Sequence, residues 1–173
     1  MQLNVAEIKR ELGARVEQEG TWSLPSLEVE GTEYVPVGAG KYRVEATNTG
    51  KALLVQGWVE GSFRVPCSRC LQDFSLKVAG DFEEEYCLQP EGEEGEEEGE
   101  EKGEEKVLSG DFLDLTPEFT STLILHLPMK PLCREDCRGL CPRCGKNRNE
   151  GECECRTDDI DPRLEKLKEF FNR

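Results

Sequence analysis

Hydrophobic positions change period along this chain, and the changes mark its elements. Val5, Ile8, Leu12 and Val16 recur at helical spacing near the N-terminus. Asn4 followed by Glu7 has the form of a capping box, with Leu3 and Ile8 at the staple positions. A helix is predicted there, weakened or ended early by Gly13. From about Leu27 to Tyr86 the period becomes two. Leu53, Val55, Val59, Phe63 and Val65 alternate with Gln56, Trp58, Glu60, Ser62 and Arg64, and Phe74, Leu76, Val78, Phe82 and Tyr86 alternate in the same way. The two runs predict a long antiparallel hairpin. Tyr42, Val44 and Ala46, followed by Asn48-Thr49-Gly50, predict an earlier strand turning into it. Leu27, Val29, Tyr34, Val35 and Val37 supply one or two more strands, with Pro36 favouring a sheet edge.

Helical spacing returns after residue 112. Thr116 is a capping residue with Pro117 behind it, and Leu115, Phe119, Leu123, Ile124 and Leu127 form the apolar stripe. Pro128 and Pro131 stop this helix. The tail repeats the device: Asp161 caps, Pro162 follows, and Leu164, Leu167, Phe170 and Phe171 make one apolar face. Such a short helix must dock to be stable. The predicted class is α+β: an antiparallel sheet or partly open barrel with a few flanking helices and a C-terminal cysteine-rich, zinc-binding segment. Residues 1–127 form the β-rich core domain, interrupted by an acidic loop at 90–106, and residues 128–173 hold the zinc knuckle and last helix.

The net charge of −15 changes this picture only locally. Thirteen acidic residues and one lysine lie between Glu83 and Glu105, and the remainder of the chain is close to neutral at −3. The Glu-Gly run from Pro90 to Glu105 has no apolar residue to offset chain entropy, so it is expected to be a disordered, solvated excursion. No apolar run is long enough to span a membrane, and the N-terminus lacks a signal-peptide core. A cytoplasmic protein is expected, and nine cysteines in that compartment point to metal rather than disulfides.

Six of them read Cys133-x3-Cys137-x3-Cys141-x2-Cys144-x8-Cys153-x-Cys155. The centre, CPRCG, has the form of a zinc knuckle, in which a tight turn brings two thiolates to one ion. Cys141 and Cys144 are taken as members of a single structural Zn2+ site. Cys153 with Cys155, or Cys133 with Cys137, complete the tetrahedron, and the other pair is spare. An iron–sulfur cluster is the chemical rival, since it also takes four thiolates. Cys67 and Cys70 fall at the tip of the long hairpin, where three readings stand open: half of a second metal or partner site, which two cysteines of the tail could complete so as to tie hairpin to tail, a redox pair, or a turn with incidental thiols. Cys87 reads as a small, buried strand residue and His126 as a helix residue with no special role. No catalytic set is present: there is one histidine, no phosphate-binding glycine loop and no nucleophile with a base. Arg134, Arg138, Arg143 and Arg148, with Lys130 and Lys146, give the cysteine segment a mild basic surface, compatible with RNA phosphates or with plain solubility.

The order of motifs resembles the YceD family of bacterial and plastid proteins, named for large-subunit ribosomal RNA accumulation. VPCSRCLQDF at the hairpin tip, the acidic stretch, DLTPEFTSTLILHLP, LCREDCRGLCPRCGKNRNEGECEC and IDPRLEKLKEF carry the resemblance. Asn147-Arg148-Asn149 stands where the family carries Asn-Leu-Asn. The resemblance implies a non-enzymatic role in assembly of the large subunit, with ribosomal RNA or a ribosomal protein as partner. The alternatives are a thiol–disulfide protein using Cys67 and Cys70, and a zinc-ribbon regulator that binds nucleic acid.

Overall fold

The computed structural model describes residues 1–88, 106–108 and 110–155 of the chain. Its elements run β1 (Gln2–Asn4), a 3-10 turn (Ile8–Arg10), β2 (Arg15–Trp22), β3 (Leu27–Val29), β4 (Thr32–Pro36) and β5 (Gly40–Asn48). After them come β6 (Ala52–Pro66), β7 (Asp73–Leu88), β8 (Lys106–Leu108), β9 (Phe112–Asp114) and α1 (Thr116–His126).

The predicted hairpin is the spine of the molecule. β6 and β7 pair antiparallel along their whole length, from Ala52↔Cys87 to Pro66↔Asp73. The other edge of β6 is shared. Its first half pairs β5 and its last residues pair β4, where Pro36 closes the contact opposite Phe63. β2 extends the sheet beyond β5, β3 beyond β4, and β8 runs parallel to the end of β7. The sheet therefore stays open rather than closing into a barrel. The turn between β5 and β6 is the expected one: Gly50 takes φ +95, and Asn48 accepts its amide at 2.7 Å.

Alternation sends Val55, Val59, Phe63 and Val65 of β6 and Val44 and Ala46 of β5 to one face, where they are buried. Helix α1 crosses that face. Phe119 is fully buried, with its ring 5.3 Å from Trp22, 5.3 Å from Tyr42 and 5.5 Å from Phe82. Edge and tilted geometries at these separations add to the area buried. Leu115 and Leu123 share this core, whereas Ile124 is exposed at 38% and Leu127 only partly covered. Leu115, not Thr116, occupies the cap, a shift of one residue. Thr116 instead binds back to Asp114, whose Oδ1 accepts its amide at 3.1 Å and its hydroxyl at 2.7 Å. Lys106 ties the far side of the acidic run to the helix by reaching both Glu84 and the buried Glu118 at 3.0 Å.

The predicted N-terminal helix is corrected. Leu3 pairs with Leu113 in the small β1–β9 ladder, Ile8 sits in a single 3-10 turn, and Val16 already belongs to β2. Asn4 Oδ1 accepts the amide of Ala6 rather than capping a helix. Gly13, at φ +79, redirects the chain into the sheet. Pairing with β5 and β9 satisfies more backbone groups than two isolated helical turns would. The predicted C-terminal helix around Asp161 and most of the acidic loop lie outside the described residues.

Candidate metal centre

The β6–β7 turn is built to present sulfur. Leu71 takes φ +60, its amide donates to the Cys67 carbonyl at 2.9 Å, and the Cys67 amide donates to Gln72 at 2.9 Å. Cys67 and Cys70 are thereby held side by side, buried, at the tip. The cysteine segment comes to meet them. Ser68 donates to the Pro131 carbonyl at 2.8 Å, and Leu140 donates to the Arg69 carbonyl at 3.1 Å. Arg69 Nη1 donates in turn to the carbonyl of Cys137 at 2.9 Å. Gly139 makes this approach possible. Its φ is +69, and a Cβ there would lie 2.9 Å from the Arg69 carbonyl oxygen.

The result is two groups of four thiols, each with all sulfurs within 4.8 Å of one another. Cys67, Cys70, Cys133 and Cys137 form the first, with Cys67 Sγ 3.8 Å from Cys137 Sγ and Cys70 Sγ 3.7 Å from Cys133 Sγ. Cys141, Cys144, Cys153 and Cys155 form the second. None of these cysteines is in a disulfide. In place of the one four-thiol site with a spare pair that was expected, the fold gathers two groups of four thiols, each of which could hold a metal ion. Cys133 and Cys137 are not rivals for the knuckle, because the hairpin tip claims them. The count held a signal: nine cysteines less the isolated, part-buried Cys87 leave two complete sets of four.

The second group rests on a small loop. Leu140 bridges Asn147, Cys141 donates to the Lys146 carbonyl at 2.9 Å, and Gly145 donates to the Cys141 carbonyl at 2.9 Å. Gly145 takes φ +72. Lys146 Nζ reaches the Glu152 carbonyl at 2.8 Å and so ties the knuckle to the irregular segment bearing Cys153 and Cys155. The two groups differ in cover. Cys67, Cys70 and Cys137 are buried, whereas Cys144 is exposed.

Electrostatics favour a cation in both. Burial opposes ionisation of Cys67, but backbone amides around Cys133, Cys70 and Arg69 outweigh it and lower its pKa to about 6. Amides of Cys144 and Arg143 lower Cys141 to about 6 as well. Burial and the neighbouring sulfurs push Cys133 up to about 12. The sulfurs of Cys144 and Cys141, with burial, push Cys155 up to about 12. Four thiolates this close repel one another until a metal ion neutralises them.

Asn149, not singled out from the sequence, braces the first group. Its Nδ2 donates to Cys137 Sγ at 3.3 Å, and its Oδ1 accepts the Arg138 amide at 2.8 Å and Arg134 Nη2 at 2.7 Å. Asn147 Oδ1 orients it by accepting Asn149 Nδ2 at 2.9 Å. The Asn-Arg-Asn sequence was its signal, since such partners orient metal ligands. Among the arginines, Arg138 and Arg148 line a cavity of about 560 Å³ beside Glu152 and Cys153. Arg134 pairs with Asp136 at 3.4 Å. His126 lies exposed on α1, its Nδ1 2.8 Å from the Thr122 carbonyl and its ring over Gly80. It joins neither thiol group. Among the described residues no helix is long and apolar enough to cross a membrane.

The chain is 30% identical to an uncharacterised protein of Mycobacterium tuberculosis (strain H37Rv), over 99% of its own length and 81% of that protein's. A Mycobacterium bovis protein, also described as uncharacterised, matches to the same extent. No solved structure matches significantly. The family described as large ribosomal RNA subunit accumulation protein YceD matches residues 55–171, which hold most of the hairpin and all eight clustered cysteines. The chain belongs to the YceD family.

Proposed function

We propose that this chain is a non-catalytic, cytoplasmic assembly factor for the large ribosomal subunit, and that its cysteine tail is a zinc-stapled module contacting ribosomal RNA. The observation that carries this reading is the docking of the tail on the hairpin tip through four thiols contributed by both. A tetrahedral set of four thiolates suits structural zinc, and it leaves no open position for a substrate. Zinc in both groups accounts for the paired CxxC-type spacings and for amides aimed at Cys67 and Cys141. Family membership supports the role in accumulation of large-subunit RNA. Metal ligation also weakens the redox alternative: Cys67 and Cys70 sit in a strand-to-strand turn, not at a helix N-terminus.

Arg138 is exposed and Arg148 half-buried on this frame, and Arg138 pairs with Glu152 at 3.9 Å. Paired guanidinium groups on such a frame suit phosphate oxygens. The test is retention of large-subunit RNA by the zinc-loaded full chain. Arg138→Ala with Arg148→Ala should weaken retention and shrink the dependence on log salt by about one to two contacts. Unchanged retention in that variant, with two zinc ions still bound, would remove the RNA-contacting role from the tail.

A further inference from the structure

The face of the sheet opposite α1 is covered by nothing among the described residues, and its side chains fall in rows across four strands. One row runs Glu17, Glu45, Gln56 and Glu83, and the next runs Glu19, Arg43, Trp58 and Asp81. Glu17 stands directly opposite Glu45, a like-charge pair that costs the sheet stability. Arg43 offsets part of this by pairing with Glu17 at 2.5 Å, as does Arg15 with Glu45 at 3.6 Å. With Glu19, Asp81 and Glu83 these two rows hold five carboxylates against Arg43, and Arg15 and Lys41 flank them. Trp58 lies part-buried at its centre, in a shallow concavity of about 660 Å³ that Glu17, Glu45, Asp81 and Glu83 also line, together with Arg43. An indole at the centre of a solvated sheet face adds nothing to the core, which lies on the other side.

From this geometry we infer that the open sheet face is a docking site for an arginine- and lysine-rich polypeptide segment, seated across Trp58. Charge complementarity selects the occupant. A guanidinium or ammonium group stacked on Trp58 gains from the ring and from the carboxylates around it. Phosphate is repelled by the same carboxylates, several of which lie within a Debye length of Trp58. An extended basic segment lying across the rows would bring its cations to successive acidic positions and relieve the Glu17–Glu45 opposition. This surface and the arginine-bearing tail are separate, so the inference goes beyond RNA contact by the tail.

The test uses the zinc-loaded full chain with two probes, a synthetic peptide of alternating arginine and serine, and single-stranded oligouridylate. Calorimetric titration should show the peptide bound, more weakly as salt rises. Trp58→Ala should weaken it about tenfold, and Trp58→Phe should recover part of that loss. Asp81→Lys combined with Glu83→Lys should weaken it by about tenfold or more. Thermal melting and zinc content of each variant establish that the sheet is intact, since these side chains lie outside the core. Peptide affinity unchanged in all these variants would overturn the inference, because the acidic run at 91–105 would then account for the attraction. Oligouridylate binding in preference to the peptide, and lost in Trp58→Ala, would overturn it too. Retention of ribosomal RNA through the tail should not move in Trp58→Ala, which keeps failure of this inference distinct from failure of the tail's role.

Discussion

Around Phe119 the sheet body packs three aromatic rings within 5.5 Å and joins more than twenty buried apolar residues in one cluster. The tail, by contrast, packs around sulfur: its buried cluster is Cys67, Cys70 and Cys137, with Phe74, Leu132, Cys133 and Leu140 partly covering it. The body removes apolar surface from water, and each fully buried side chain contributes about 1.5–3 kcal/mol. A segment as short as 133–155 has too little apolar area for that strategy, as do small domains in general. In the proposed zinc-stapled module, metal ligation replaces the core it cannot build. The comparison also shows where the two regions join. The hairpin tip belongs to the body by its strands and to the tail by its thiols.

The largest break in this comparison comes from removing metal. Chelation should unfold residues 133–155 while the body keeps its β structure, because each structural zinc contributes on the order of 10–16 kcal/mol of apparent binding free energy. Amide exchange checks this: Leu140 and Arg148 should lose protection and Val55 and Val59 should keep it. The reverse break is Phe119→Ala, expected to destabilise the body by about 3–5 kcal/mol in denaturant melts. Zinc content below the melting transition should be unchanged. Gly139→Ala strikes the join itself. The side chain meets the Arg69 carbonyl and must adopt a positive φ, so tail docking should weaken by about 1–3 kcal/mol, read from exchange of the Leu140 amide. The smallest effect is Asn149→Ala, which should lower metal affinity of the first group by about tenfold in competition with a chelator. The second group, which Asn149 does not touch, should keep its affinity. Equal loss at both groups would blur the division drawn between them.

How far the sequence discloses these regions follows from the range of the forces involved. Alternation along β6 and β7 is local and repeated over fifteen paired positions, so the hairpin was legible. The Phe119 stripe was legible for the same reason. The N-terminal helix was misread because Val5, Ile8 and Val16 fit a helical period equally well when a 3-10 turn and a strand carry them inward. Only pairing with β5 and β9, distant in sequence, decides between the two. The knuckle Cys141–Cys144 was legible from its short spacing. That the hairpin pair could join two tail cysteines stood among the open readings, but the choice of Cys133 and Cys137 was not legible, since the Cys70–Cys133 contact spans 63 residues and depends on where the hairpin tip ends up. The arginines Arg134, Arg138, Arg143 and Arg148 were visible as charge, but the frame that Asn149 gives two of them was not.

The shared ligation at the hairpin tip has a consequence for the order of events during synthesis. Cys67 and Cys70 leave the ribosome with their hairpin, long before Cys133 and Cys137 follow, 63 and 70 residues later for the two close sulfur pairs. Until then the tip offers two of the four thiolates that a closed tetrahedral site requires. The second group, contained within fifteen residues, can close as soon as Cys155 emerges. Closure of the first group is therefore a mark that the nascent chain has passed Cys137 and has brought the tail back to the hairpin tip.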